Sequence, residues 1–167
     1  FSQISRDCGV FICTTVSFET GARCEFMADY IPVELRDLIT AVDQQRCCYC
    51  RTTTANSGVS MTIDHIQPQS KGGSTDLENL CLACSACNCY KSDMTEAQDP
   101  LNNQVVPLFN PRLQQWLDHF SWSIDKTTIE GITPTGRATV VALKLNRPVI
   151  VFARQRWVQV GWHPPTD

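Results

Sequence analysis

The sequence predicts an α+β fold with more helix than strand, stapled by a metal site of four cysteines. Three observations carry that expectation. Seven of the ten cysteines fall in two tight clusters, at 47, 48 and 50 and at 81, 84, 87 and 89. Apolar residues repeat at helical spacing in several segments and alternate with period two in another. The length, 167 residues with 43% apolar and 19% charged, suits about one globular domain with a core of its own. No apolar run approaches the roughly 18 residues that a membrane-spanning helix needs, so no membrane partner is expected. The formal net charge of −3, from 14 Lys and Arg against 17 Asp and Glu, argues against a scaffold that holds nucleic acid by bulk charge alone.

Phe1 to Phe26 has no clean periodicity, and its Cys8, Cys13 and Cys24 lack metal-type spacing. Met27-Ala28-Asp29 reads as a start, so residues 1–26 are expected to be a non-native or disordered extension. The rival, a secretory leader over Val10 to Phe18, lacks a basic start and a small-residue cleavage site. Apolar residues at 31, 35, 38, 39 and 42 then predict a helix, with Pro32 near its first turn, where a missing N–H costs nothing. After the polar loop Thr52 to Gly58, Val59 to Ile63 alternates and predicts a strand that delivers Asp64-His65-Ile66 at its end. A loop with Pro68 and Gly72-Gly73 follows, and Cys84 to Lys91 enters a short helix.

Beyond Pro107 a second segment begins. Leu113, Trp116, Leu117 and Phe120 fall at i, i+3, i+4 and i+7, which predicts an amphipathic helix. Trp122 to Ile132 offers a short strand or hairpin. Ala138 to Leu145 and Pro148 to Val160 predict two helices, with Asn146 a candidate cap between them. The expected organisation is a core over 27–106 with a helical extension, 107–167, packed on it. Trp116, Trp122, Trp157 and Trp162 are expected as packing residues.

Cys47-x-x-Cys50 and Cys84-x-x-Cys87 give the pattern C-x₂-C…C-x₂-C. Zinc takes four soft ligands at tetrahedral corners, and a two-residue gap lets one turn present two thiolates to one ion. Cys81-x-x-Cys84 is a second legal pair, and Cys48 and Cys89 lie nearby. Cys81 sits in the apolar run Leu80-Cys81-Leu82 and fits a small buried hydrophobe better than a ligand. A closed four-thiolate site holds a fold together and does not catalyse. Clusters of this kind, unlike disulfides spread through a short chain, suit a reducing, cytoplasmic setting.

Between the cysteine pairs stand Asp64-His65 and Asn79, and Asn88 follows Cys87 directly. The order Cys47-x-x-Cys50, Asp64-His65-Ile66-x-Pro68, Gly72-Gly73, Asn79-Leu80, Cys84-x-x-Cys87-Asn88-x-x-Lys91 resembles the zinc-bearing HNH endonucleases, the ββα-metal nucleases. The stretches Pro107-Leu108-Phe109-Asn110-Pro111-Arg112, Gly136-Arg137-Ala138-Thr139 and Leu145-Asn146-Arg147 are similar to the tail of a bacterial, often cyanobacterial, subgroup.

The resemblance implies a ββα-metal finger, two antiparallel strands and a helix around one divalent ion. It implies His65 as the general base, a role suited to a neutral imidazole. It implies Asp64 and Asn88 as ligands of a single Mg²⁺ or Mn²⁺, which prefer hard oxygens. Asn79 would hold the loop that aims the imidazole, and Lys91 and Lys71 would meet phosphates. Many relatives carry His where this chain has Asn88. An amide carbonyl still serves Mg²⁺, but it suits softer Zn²⁺ or Ni²⁺ less well.

Charge is uneven, with Arg137, Lys144, Arg147, Arg154 and Arg156 against Asp167 in the last 37 residues. Such residues, Arg137 among them, suit backbone contacts to nucleic acid, double-stranded DNA first, without base readout. His119 and His163 have no assigned role. The leading reading is an HNH endonuclease that hydrolyses phosphodiester bonds. The rival is a catalytically silent, zinc-stapled nucleic-acid or protein binding module, and a toxin domain ranks third. A mere staple needs the cysteines and has no use for Asp64, His65 and Asn88.

Overall fold

Pro32 cannot donate a backbone N–H, and it serves as the N-cap of helix α1, Val33–Val42. The computed structural model describes residues 30–165, so the expected start at Met27 and the extension over 1–26 lie outside them. The chain divides into two units, Phe1–Tyr30 and Ile31–Asp167, and the second carries every element below. α1 buries Ile39 and packs Ile31 and Leu35 beside it, whereas Leu38 and Val42 of the expected stripe face solvent.

A short helix α2, Thr54–Ser57, is capped by the Thr53 hydroxyl and stopped by Gly58. Strand β1, Thr62–His65, pairs antiparallel with β2, Leu80–Ala83, in the register Ile63 to Leu82 and Asp64 to Cys81. β1 starts later than the alternation suggested, and Val59 is exposed. All four residues of β2 are buried, so it shows no alternation from which a strand could be read. Helix α3, Ser85–Lys91, follows at once and packs on both strands.

The next hairpin, β3 (Glu96–Gln98) with β4 (Val105–Pro107), was not expected from the residue pattern. The amphipathic helix expected over Leu113 to Phe120 shrinks to one turn, α4, Trp116–His119. Upstream, the Asn110 and Gln114 side chains bond backbone N–H groups of Arg112 and Asn110, which favours a turn over a helix. Leu113 and Leu117 stay exposed, while Trp116 and Phe120 enter the core.

β5, Phe120–Trp122, and β6, Ile129–Gly131, form the expected hairpin. α5, Pro134–Ala142, begins earlier than expected because Thr133 caps it and Pro134 opens it. Gly136 lies so close to the His119 carbonyl that a Cβ would overlap it. α6, Pro148–Gln159, matches the predicted helix, but its N-cap is Arg147. Asn146 instead pairs both ways with the Ile129 backbone, at 2.8 and 2.7 Å.

The larger of two core clusters joins the cysteines to the C-terminal segment, and the smaller holds Ile31 and Ile39 against Leu80 and Leu82. Cys47, Tyr49, Cys81 and Cys87 pack with Phe109, Trp116, Phe120, Ile129, Leu143 and Leu145. Trp116 is buried and Trp122 packs against that core, but Trp162 is 61% exposed, against expectation. Asp43 at the end of α1 ties the layers together. It accepts the Leu82 N–H at 2.7 Å and takes a two-pronged ion pair from Arg112 at 2.6 and 3.0 Å.

Candidate active site and metal centre

The sulfurs of Cys47, Cys50, Cys84 and Cys87 all lie within 4.8 Å of one another. Two tight turns place them. The Cys50 N–H points at Cys47 Sγ at 3.5 Å, and the Cys87 N–H at Cys84 Sγ at 3.4 Å, where Cys84 caps α3. Cys50 and Cys84 sulfurs stand 3.8 Å apart. Zinc–sulfur bonds of about 2.3 Å at tetrahedral corners require sulfurs roughly 3.8 Å apart, so the donor set fits a structural metal such as zinc.

The thiols themselves are in conflict without a cation. Hydrogen bonds from Cys47, Cys84 and Cys87 hold the Cys50 thiol well below its ordinary value, while burial pushes Cys47 well up. A divalent ion would settle that conflict by taking all four as thiolates. Arg154, fully buried, donates to the Cys50 carbonyl at 3.4 Å and faces Trp122 at 5.1 Å. Cys81 is buried outside the cluster, with its sulfur 3.7 Å from the Tyr49 hydroxyl.

Beside this cluster, β1 places Asp64 and His65 as its last two residues. Adjacent strand residues point to opposite faces. Asp64 turns inward, 4% exposed, where the Tyr49 hydroxyl donates to Oδ2 at 2.7 Å. Lys91, the last residue of α3, sets its ammonium 3.1 Å from both carboxylate oxygens and 2.7 Å from the His65 carbonyl. Burial pushes the Asp64 carboxyl up, and the Lys91 charge opposes that shift. His65 turns to the other side, with Nε2 3.0 Å from Thr75 Oγ1.

Asn88 donates to Thr62 Oγ1 at 3.1 Å. Thr62 and Asp64 share a face of β1, so Asn88 and Asp64 come to the same side of the hairpin. An Asp carboxylate and an Asn carbonyl are hard oxygen donors of the kind Mg²⁺ takes. The donor chemistry therefore fits, with Lys91 already seated on the carboxylate.

Asn79 spans the loop between the strands. It accepts the Gln67 N–H at 2.8 Å and donates to the Gln67 and Ser74 carbonyls at 3.0 and 2.7 Å. Gly73 has no room for a Cβ, which would overlap the Gln67 carbonyl. Lys71 ends the 3₁₀ turn Gln69–Lys71 in this loop and is exposed.

Lys91 and Arg137 occupy ion pairs. Lys91 is 2% exposed, and Arg137 grips Asp99 with two bonds of 2.8 and 2.6 Å, holding that carboxyl below its usual range. Of the basic residues near the C-terminus, Arg154 is buried and Lys144 sits 4.6 Å over the Tyr90 ring.

Residues 47–93 match the family described as HNH endonuclease. That segment, 47 of the 167 residues, is similar to an HNH endonuclease domain. No curated protein and no solved structure gives a significant match to the chain. The HNH domain spans both cysteine pairs, the β1–β2 hairpin and α3, which together make the ββα finger. No helix among the described residues is long and apolar enough to cross a membrane.

Sequence reasoning did not single out Tyr49 or Thr75, nor pair Lys91 with Asp64. Tyr49 left a signal. A tyrosine between two metal ligands is destined for burial, and a buried hydroxyl needs a partner.

Proposed function

We propose that the HNH domain hydrolyses phosphodiester bonds in nucleic acid, DNA in the first instance. The observation that carries this reading is the end of β1, where Asp64, on the face of the hairpin that Asn88 meets, is followed directly by His65 on the other face. In this proposal His65 accepts the proton of the water that attacks phosphorus, a task that needs a positioned imidazole. Asp64 and Asn88 would hold one Mg²⁺ or Mn²⁺. When bound, that ion supplies charge neutralisation at the phosphate and the leaving oxygen. Asn79 keeps the loop opposite His65 in register, and exposed Lys71 in the same loop is placed for a phosphate contact. The four-cysteine cluster takes no part in the chemistry and holds the finger together.

One observation favours the rival reading, a silent zinc-stapled binding module. The Lys91 ammonium already sits where a divalent ion would approach Asp64. Incubation with supercoiled plasmid separates the two. The nuclease reading expects open circles with Mg²⁺ or Mn²⁺ and none with a chelator that leaves zinc in place. Intact plasmid under all conditions, with about one zinc per chain, overturns it in favour of the binding module.

A further inference from the structure

Tyr49 belongs to the metal knuckle by position and to the nuclease centre by contact. It stands between Cys47 and Cys50 and is fully buried. Its backbone is pinned on the knuckle side, where its carbonyl accepts the Trp116 indole N–H at 3.0 Å. The neighbouring Cys48 N–H bonds the Leu82 carbonyl of β2 at 2.9 Å. Its hydroxyl crosses to β1 and donates to Asp64 Oδ2 at 2.7 Å, shorter than the 3.1 Å at which Lys91 meets that carboxylate. A single rigid ring therefore joins the four-cysteine cluster to the residue before His65.

We infer that Tyr49 is a positioning residue: its hydroxyl fixes the Asp64 carboxylate for divalent-ion binding and relays the order of the metal knuckle to the nuclease centre. The inference rests on the reading of Asp64 as an ion ligand. A carboxylate has about four acceptor directions. Tyr49 takes one direction at Oδ2 and Lys91 lies against both oxygens, so an ion would have to bind in a direction that the Tyr49 bond helps to fix. Without the hydroxyl, only the Lys91 ammonium would hold the group, and the carboxylate could rotate about its terminal torsion, which is intrinsically broad.

The test is Tyr49→Phe, which removes one oxygen and keeps the ring. Mn²⁺ binding to the zinc-loaded protein is followed by the loss of free-ion electron paramagnetic resonance signal. Zinc content and thermal unfolding are measured on the same sample, and plasmid nicking is titrated with Mn²⁺. A hydrogen bond to a charged group corresponds to a loss of roughly tenfold in Mn²⁺ affinity. The nicking midpoint should move by the same factor, with near-parental rates at saturating Mn²⁺ and zinc unchanged at about one per chain.

Unchanged Mn²⁺ affinity in the variant overturns the inference while leaving the nuclease reading intact. Loss of zinc in the variant also overturns it, because the hydroxyl would then serve the cluster. Parental protein that neither binds Mn²⁺ nor nicks plasmid fails the nuclease reading itself, and the inference with it. Tyr49→Phe, Asp64→Asn and their double variant give a second measure. Mn²⁺ losses that do not multiply support the shared path, and independent losses contradict it.

Discussion

Lys91 and Asp64 are the residues on which the site turns. Both are buried, at 2% and 4% exposure, and each is the other's charge partner. Lys91→Met leaves a buried carboxylate that keeps the Tyr49 hydroxyl as a donor but has lost its charge partner. Breaking such a pair costs about 3–5 kcal/mol, which a urea titration would register as an earlier midpoint with unchanged slope.

His163 sets a pH limit. Burial first, and the nearby Arg154 charge second, lower it to about 4, from an unfolded value of about 6.5. The unfolded chain therefore takes up its proton first as pH falls. The stability that neutral His163 contributes is complete above about 6.5 and drains away as pH drops through about 4. His163→Phe should lose less stability than the parent between pH 7 and 4.5 in parallel denaturant titrations.

At the scale of elements, what the sequence disclosed depended on how each element earns its stability. α6 was legible because Pro148 and a long apolar-polar pattern mark it locally. α5 was half legible, since its start depends on the Thr133 hydroxyl accepting the Gly136 N–H at 3.1 Å. Thr133→Ala should cost about 1 kcal/mol of stability in chemical denaturation, with the loss concentrated in amide exchange of the first turn of α5. β2 was hidden because a strand buried on both faces shows no period. α4 failed because Asn110 and Gln114 spend their side chains on a turn.

The candidate site was legible for a different reason. Cysteine spacing and the Asp64-His65, Asn79 and Asn88 order lie close together in sequence and need no long-range folding to be recognised. The contacts with Tyr49 and Lys91 join residues 15 and 27 positions from Asp64 and were invisible until the chain folded.

For the whole molecule, the metal knuckle and the C-terminal segment share one core. Trp116 bonds the Tyr49 carbonyl, Arg154 bonds the Cys50 carbonyl, and Leu143 and Leu145 pack with the cysteines. The residues beyond 107 are therefore part of the support for the finger. Structural zinc sites contribute on the order of 10 kcal/mol to folding. Chelating the ion should unfold residues 31–165 in one step, seen as simultaneous loss of far-ultraviolet and tryptophan signals. An extension that stays folded while the finger melts would separate the two.

The central claim is that a zinc-ordered finger places His65 as the base of a hydrolytic centre. The most direct measurement compares supercoiled-plasmid nicking by the parent and by His65→Ala in Mg²⁺, both verified at about one zinc per chain. The account predicts that the variant keeps its zinc and its unfolding temperature and loses roughly 10²–10⁴-fold in rate. Equal nicking by the two proteins would contradict it.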